Sequence, residues 1–145
     1  MSGAKSYGSL AVVGSSRVDQ QLAIWRKLMA QCQEAQHKLA TLGQFAERYR
    51  EQMRSQLLEG MAASASMAFI GFIGQVEAVT RKQQAEVTRL EAACAEQWQH
   101  LVEARREKRM YEILRDRAQA EELAADLKRA QAEIDELLGR IVKLA

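Results

Sequence analysis

No proline interrupts the 145 residues. Proline fixes φ, removes a backbone donor and marks turns, so a chain without it consists of a few long, uninterrupted elements. After Arg17 the chain is dominated by Gln, Glu, Ala, Leu, Arg and Lys taken together, which are strong helix formers. β-Branched residues are sparse there, and aromatic residues make up only 6% of the chain. That is too little bulk for a thick globular core. With helical periodicity, the composition predicts an all-α fold: a two-helix antiparallel coiled-coil hairpin with an overhanging C-terminal helix.

Residues 1–16, rich in Gly and Ser, are expected to form a flexible N-terminal tail, with Ser15 or Ser16 capping the first helix. Helix one is expected over 17–59. Its apolar positions Val18, Leu22, Trp25, Met29 and Cys32, then polar Gln36 and Leu39, alternate spacings of four and three, a coiled-coil seam. The series restarts at Leu42, Phe45, Tyr49, Met53 and Leu57, which reads as a phase slip. Gly60 suits a left-handed C-cap, 60–65 is the expected bend, and helix two is expected over 66–143. Its seam includes Val76, Val87, Leu90, Cys94, Leu101 and Ala104. A bend near residue 63 sets Cys32 opposite Cys94 and Trp25 opposite Leu101. A symmetric hairpin then uses helix two only to about residue 110. Beyond it Leu123, Leu127, Ile134, Leu137, Ile141 and Leu144 form an apolar stripe with no partner in the chain.

Charge and cysteine content narrow the functional classes. The net charge of +2 gives no strong pull toward nucleic acid or acidic membranes. Two cysteines are too few for a disulfide framework; Cys32 and Cys94 read as packed thiols or, alternatively, as a regulatory pair. No stretch is expected to approach the roughly 20 apolar residues that a membrane span needs. Leu10–Val13 is too short for a signal-peptide core. These features predict a soluble protein of a reducing compartment.

Catalytic signatures are missing as well. Gly71-Phe72-Ile73-Gly74 lacks the third glycine and preceding strand of a phosphate loop. His37 and His100, the only histidines, have no Cys or carboxylate cluster at ligand spacing. No enzyme, cofactor or metal site is expected. The basic run Arg105-Arg106-Glu107-Lys108-Arg109 is offset by neighbouring carboxylates and reads as a solvated face, a protein contact or, least, a nucleic-acid contact. Leu42, Phe45 and Tyr49 share one face of helix one near the bend. Phe72, Val76, Val79 and Gln83 share one face of helix two. Core packing explains such a set, and so does a binding patch on a thin rod.

The stretch from Phe45 through Glu47-Arg48-Tyr49-Arg50, then Gly60, then Phe72-Ile73 with Val76, Val79 and Gln83, resembles the pattern of the FliJ family of flagellar export proteins. The run from Glu103 to Leu114-Arg115-Asp116-Arg117 resembles it too. The likeness spans roughly 17–120. It implies a cytoplasmic stalk of a type III export apparatus, peripherally associated with the inner membrane and similar in fold to the two-helix axle of rotary ATPases. The implied partners are the hexameric export ATPase, the cytoplasmic domain of the membrane export-gate protein, and export chaperones. No nucleic acid and no direct membrane insertion are implied. The family's gate-binding cluster carries over to Leu42, Phe45, Tyr49, Phe72, Val76, Val79 and Gln83; Lys38 stands where the family favours Gln and is left out. The stripe Leu123, Leu127, Ile134, Leu137, Ile141 and Leu144 is the expected ATPase- or chaperone-binding end. The equivalent stalk of a virulence injectisome and a generic coiled-coil scaffold remain alternatives.

Overall fold

The structure, a computed structural model, describes residues 2–145; Met1 of the expected tail lies outside the described residues. It consists of two helices, α1 (Ser2–Leu58) and α2 (Ala63–Leu144), joined by a tight bend. Gly60 has φ 92°, a conformation that costs an L side chain energy and glycine none. The Gly60 N–H donates to the Leu57 carbonyl at 3.2 Å and the Glu59 N–H to the Ser55 carbonyl at 3.3 Å, satisfying free carbonyls at the end of α1. The bend is shorter than the expected 60–65. α2 starts at Ala63, and the Ala62 carbonyl already accepts from the Ser66 N–H at 3.0 Å.

The segment expected as a flexible tail is instead the beginning of α1. The inward positions of α1 explain why. Ala4, Tyr7, Ala11, Gly14 and Val18 continue the three-and-four spacing toward the N-terminus, with Ala4 and Ala11 buried. Apart from Tyr7 and Val18 this seam is made of small side chains, so it carries little hydrophobic signal in the sequence. It still lets the two backbones approach: a Cβ on Gly14 would lie 3.2 Å from Lys108 Cα. Tertiary contact overrides the weak helix propensity of glycine and serine.

The phase slip expected after Leu39 is not present. α1 buries Ala35 rather than Gln36 and Ala46 rather than Phe45. With these two alanines the seam runs unbroken through Leu28, Cys32, Ala35, Leu39, Leu42, Ala46 and Tyr49.

The helices build two compact units. One comprises Leu22–Gln99 and contains the bend. Its core is Cys32, Ala35, Val87, Leu90 and Cys94, with Leu28, Met29 and Leu39 packed against it. Cys32 and Cys94 share this layer as free thiols, as the register predicted. Trp25 packs on Trp98, with ring centroids 5.3 Å apart. The Gln83 amide donates to the Ala35 carbonyl at 2.9 Å, and Gln36 to Glu91 at 3.3 Å. The other unit comprises the chain up to Gln21 with His100–Ala145. There Leu101, at 0% exposure, and Ala104 pack on the α1 side, while Arg17 bonds both Glu107 carboxylate oxygens at 2.8 and 2.9 Å. Because α1 begins at Ser2, its pairing reaches further along α2 than the expected residue 110: the Gly3 position lies against Ala118.

Burial raises the Cys94 thiol above its ordinary value of 9.0, and neighbouring Cys32 adds to the effect. The folded value exceeds the unfolded one, so the stability tied to the neutral thiol is complete below about pH 9 and declines as pH rises through the folded value. The thermal midpoint should be flat through neutral pH and fall at alkaline pH, less so in Cys94→Ala; melting followed by circular dichroism reads this. Gly14→Val should cost on the order of 1–3 kcal/mol by forcing the helices apart. Denaturant unfolding checks it, and a neutral result would mean the helices do not meet at Gly14.

Candidate functional site

Near the bend Ala46 and Val76 are buried in the seam, and the aromatic rings gather about the seam position of Tyr49. Tyr49 is the centre of the group, with centroids 4.5 Å from Phe72, 4.9 Å from Phe69 and 6.2 Å from Phe45; Phe45 and Phe72 are 6.1 Å apart. Such tilted contacts each contribute about 0.5–1.5 kcal/mol beyond area burial. Phe45 is 47% exposed and Phe72 37%, so the cluster presents ring edges and faces to solvent. Beside it Arg50 bridges the helices to Glu77 at 2.8 Å and also meets Glu47 at 3.7 Å.

The seven residues expected here separate by orientation. Phe45, Tyr49 and Phe72 come together, and Val79 is exposed on the same helix as Phe72. Val76 is buried in the seam, Leu42 is half-buried, and Gln83 is engaged with the Ala35 carbonyl, so these three hold the helices together. Phe69 was missed, although its spacing of three from Phe72 put it on the same face. Exposed Leu57, Leu58, Met67 and Ile70 extend the apolar surface around the bend.

This surface corrects the hydropathy reading. α2 holds an 18-residue window of mean hydropathy 1.2, 6% buried, long and apolar enough by composition to cross a membrane. Residues 63–80 contain Glu77 as their one charged residue. Counting uninterrupted apolar residues missed the window because Ala, Ser and Gly interleave the larger side chains.

The second exposed region is the end of α2. Every residue from Leu123 to Ala145 is exposed. The six expected stripe residues lie between 50% (Ile134) and 88% (Leu144) exposed. The inward positions of α2 run Leu101, Ala104, Lys108, Tyr111, Arg115, Ala118, Glu122; in the same rhythm they would continue to Ala125, Arg129, Ala132 and Glu136. The apolar stripe sits two residues off that line, which is roughly 200° around the helix. It therefore faces nearly away from the line of α1.

Among the described residues no group of three or more His, Cys, Asp or Glu side chains could hold a metal. Arg89 forms a bidentate pair with Glu86 on the surface of α2, and its guanidinium holds the Glu86 carboxyl below the ordinary carboxylate value.

Tyr49→Ala removes three ring contacts and should cost on the order of 2 kcal/mol. Phe45→Ala should cost less than about 1 kcal/mol, as an exposed position does. Urea unfolding of the two variants checks the ranking; equal losses would make Phe45 a core residue.

Comparison with protein families matches residues 10–144 to the family described as flagellar FliJ protein. No curated protein and no solved structure matches the chain. The family match takes in nearly all of α1, the bend, the aromatic cluster and the exposed end of α2. The chain belongs to the flagellar FliJ protein family and is a coiled-coil protein of flagellar export.

Proposed function

We propose that the protein is the coiled-coil stalk that couples the flagellar export ATPase ring to the membrane export gate and assists delivery of chaperone-bound substrates. The observation that carries this reading is the bare, regularly patterned end of α2, residues 123–145. A buried side chain of this size contributes about 1.5–3 kcal/mol, so six left exposed bias the segment strongly toward association. Its repeat of four and three suits a helical partner rather than a flat surface. In this reading Leu123, Leu127, Ile134, Leu137, Ile141 and Leu144 engage the ATPase hexamer or a chaperone.

The aromatic cluster is the gate-binding patch in the same reading. Rings held by one another but open to solvent resemble the anchors that dominate protein interfaces. Phe45, Tyr49, Phe72 and Val79 would touch the cytoplasmic domain of the gate protein, while Leu42, Val76 and Gln83 hold their register. The apolar start of α2 is thereby assigned to a protein contact rather than to membrane insertion, since Glu77 within it is paired with Arg50 across the bend. The protein would work in the cytoplasm, at the inner face of the membrane, without catalysis of its own. The flagellar family match favours the flagellum over an injectisome.

Truncation after Glu122 should leave the paired helices folded and binding to the gate domain intact, and abolish stimulation of the export ATPase. Steady-state ATP hydrolysis with purified components reads the outcome. Stimulation equal to that of the full chain would remove this segment from the coupling role. Phe45→Ala combined with Phe72→Ala should weaken capture of the gate domain by tenfold or more, about 1.4 kcal/mol.

A further inference from the structure

We propose that, when no other protein covers it, the exposed end of α2 pairs antiparallel with the same segment of a second copy of this chain. The stripe faces nearly away from the line of α1, so no continuation of that line would cover it. In heptad terms Leu127, Ile134 and Ile141 take position a, and Leu123, Ala130 and Leu137 take position d. An antiparallel pair opposes a with d, which sets Leu127 on Leu137 of the second copy, Ala130 on Ile134, and Leu123 on Ile141. Each layer then joins two apolar side chains, and the central one combines a small residue with a large one. The overlap is about three heptads, near the length at which such pairs become stable.

Charge decides the direction. Antiparallel pairing brings the two g positions together, so Asp126 meets Arg140 of the second copy, twice by symmetry. It also lays exposed Leu138 on Ala124 of the other copy. Parallel, in-register pairing brings g to e instead: Asp126 would meet Gln131, and the Glu133 carboxylate would be pressed against Leu138, with no opposite charges paired. Asp126 and Arg140 now bond Arg129 and Glu136 of their own helix, both exposed pairs that exchange partners at little cost. The one like-charge contact in the antiparallel arrangement is Glu133 with Glu133, at the centre.

The segment is the one assigned above to the ATPase, so self-pairing would hold it out of reach until that partner arrives. The experiment needs no ATPase and therefore fails or succeeds separately from that reading. Sedimentation velocity of the full chain over a wide concentration range should show a reversible dimer, lost on truncation after Glu122. Arg140→Asp should weaken the dimer about fivefold or more, and adding Asp126→Arg should restore it. Glu133→Gln should tighten it, a gain that no loss of folding can imitate. With Cys32 and Cys94 replaced by Ala, a mixture of Leu127→Cys and Leu137→Cys chains should be joined by a short bismaleimide, whereas Leu127→Cys alone should not. A chain that stays monomeric throughout, cross-linking by Leu127→Cys alone, or a Glu133→Gln dimer no tighter than the parent would each overturn the proposal.

Discussion

Close approach of the two backbones through a seam of small side chains is the constraint from which the other features follow. At Gly14 a Cβ would lie only 3.2 Å from Lys108 Cα on the neighbouring helix. Elsewhere the buried positions are Ala4, Ala11, Cys32, Ala35, Ala46, Cys94 and Ala104, with Val and Leu between them. Where the seam narrows to Ala46, the larger neighbouring Phe45 stays outside it and is 47% exposed. The rings of Phe45 and Phe72 lie exposed beside the seam and pack on Tyr49, while half-buried Phe69 meets Tyr49 from the seam line of α2. The candidate binding patch is in this sense a consequence of the packing of the seam.

Polar contacts across the helices set direction and register more than stability. Arg17 to Glu107 and Arg50 to Glu77 are solvent-exposed ion pairs, each contributing at most about 1 kcal/mol. Gln83 to the Ala35 carbonyl is partly buried and more selective, since sliding the helices by one residue would leave that amide unpaired. Together with the alternation of buried alanines and leucines, these contacts allow one alignment of α1 on α2 within each unit.

The change of phase at Glu122 separates two uses of one helix. Before it, the inward line of α2 matches α1; after it, the apolar residues move to nearly the opposite face while the helix itself continues without a break. A continuous backbone with a discontinuous apolar face is suited to handing a helix from an intramolecular partner to an intermolecular one. The same property supports the proposed contact with the export ATPase and the proposed pairing with a second copy.

The sequence by itself determined the helical hairpin, because missing prolines, strong helix formers and Gly60 are local properties that act through backbone geometry. It also determined the layer shared by Cys32 and Cys94 and the bare stripe after Leu123, where large apolar residues recur at unmistakable spacing. Tertiary structure alone decided the rest. Residues 1–16 read as a tail because Gly and Ala in a seam give no hydrophobic signal, yet a helix alongside makes their smallness an advantage. Phe45 read as a seam residue because it is more apolar than Ala46, but only the distance between the two helices determines that the smaller residue goes inside. Phe69 joined the aromatic cluster for the same reason: a side chain's place on a helix is set by sequence, but whether that place is covered depends on the neighbouring helix.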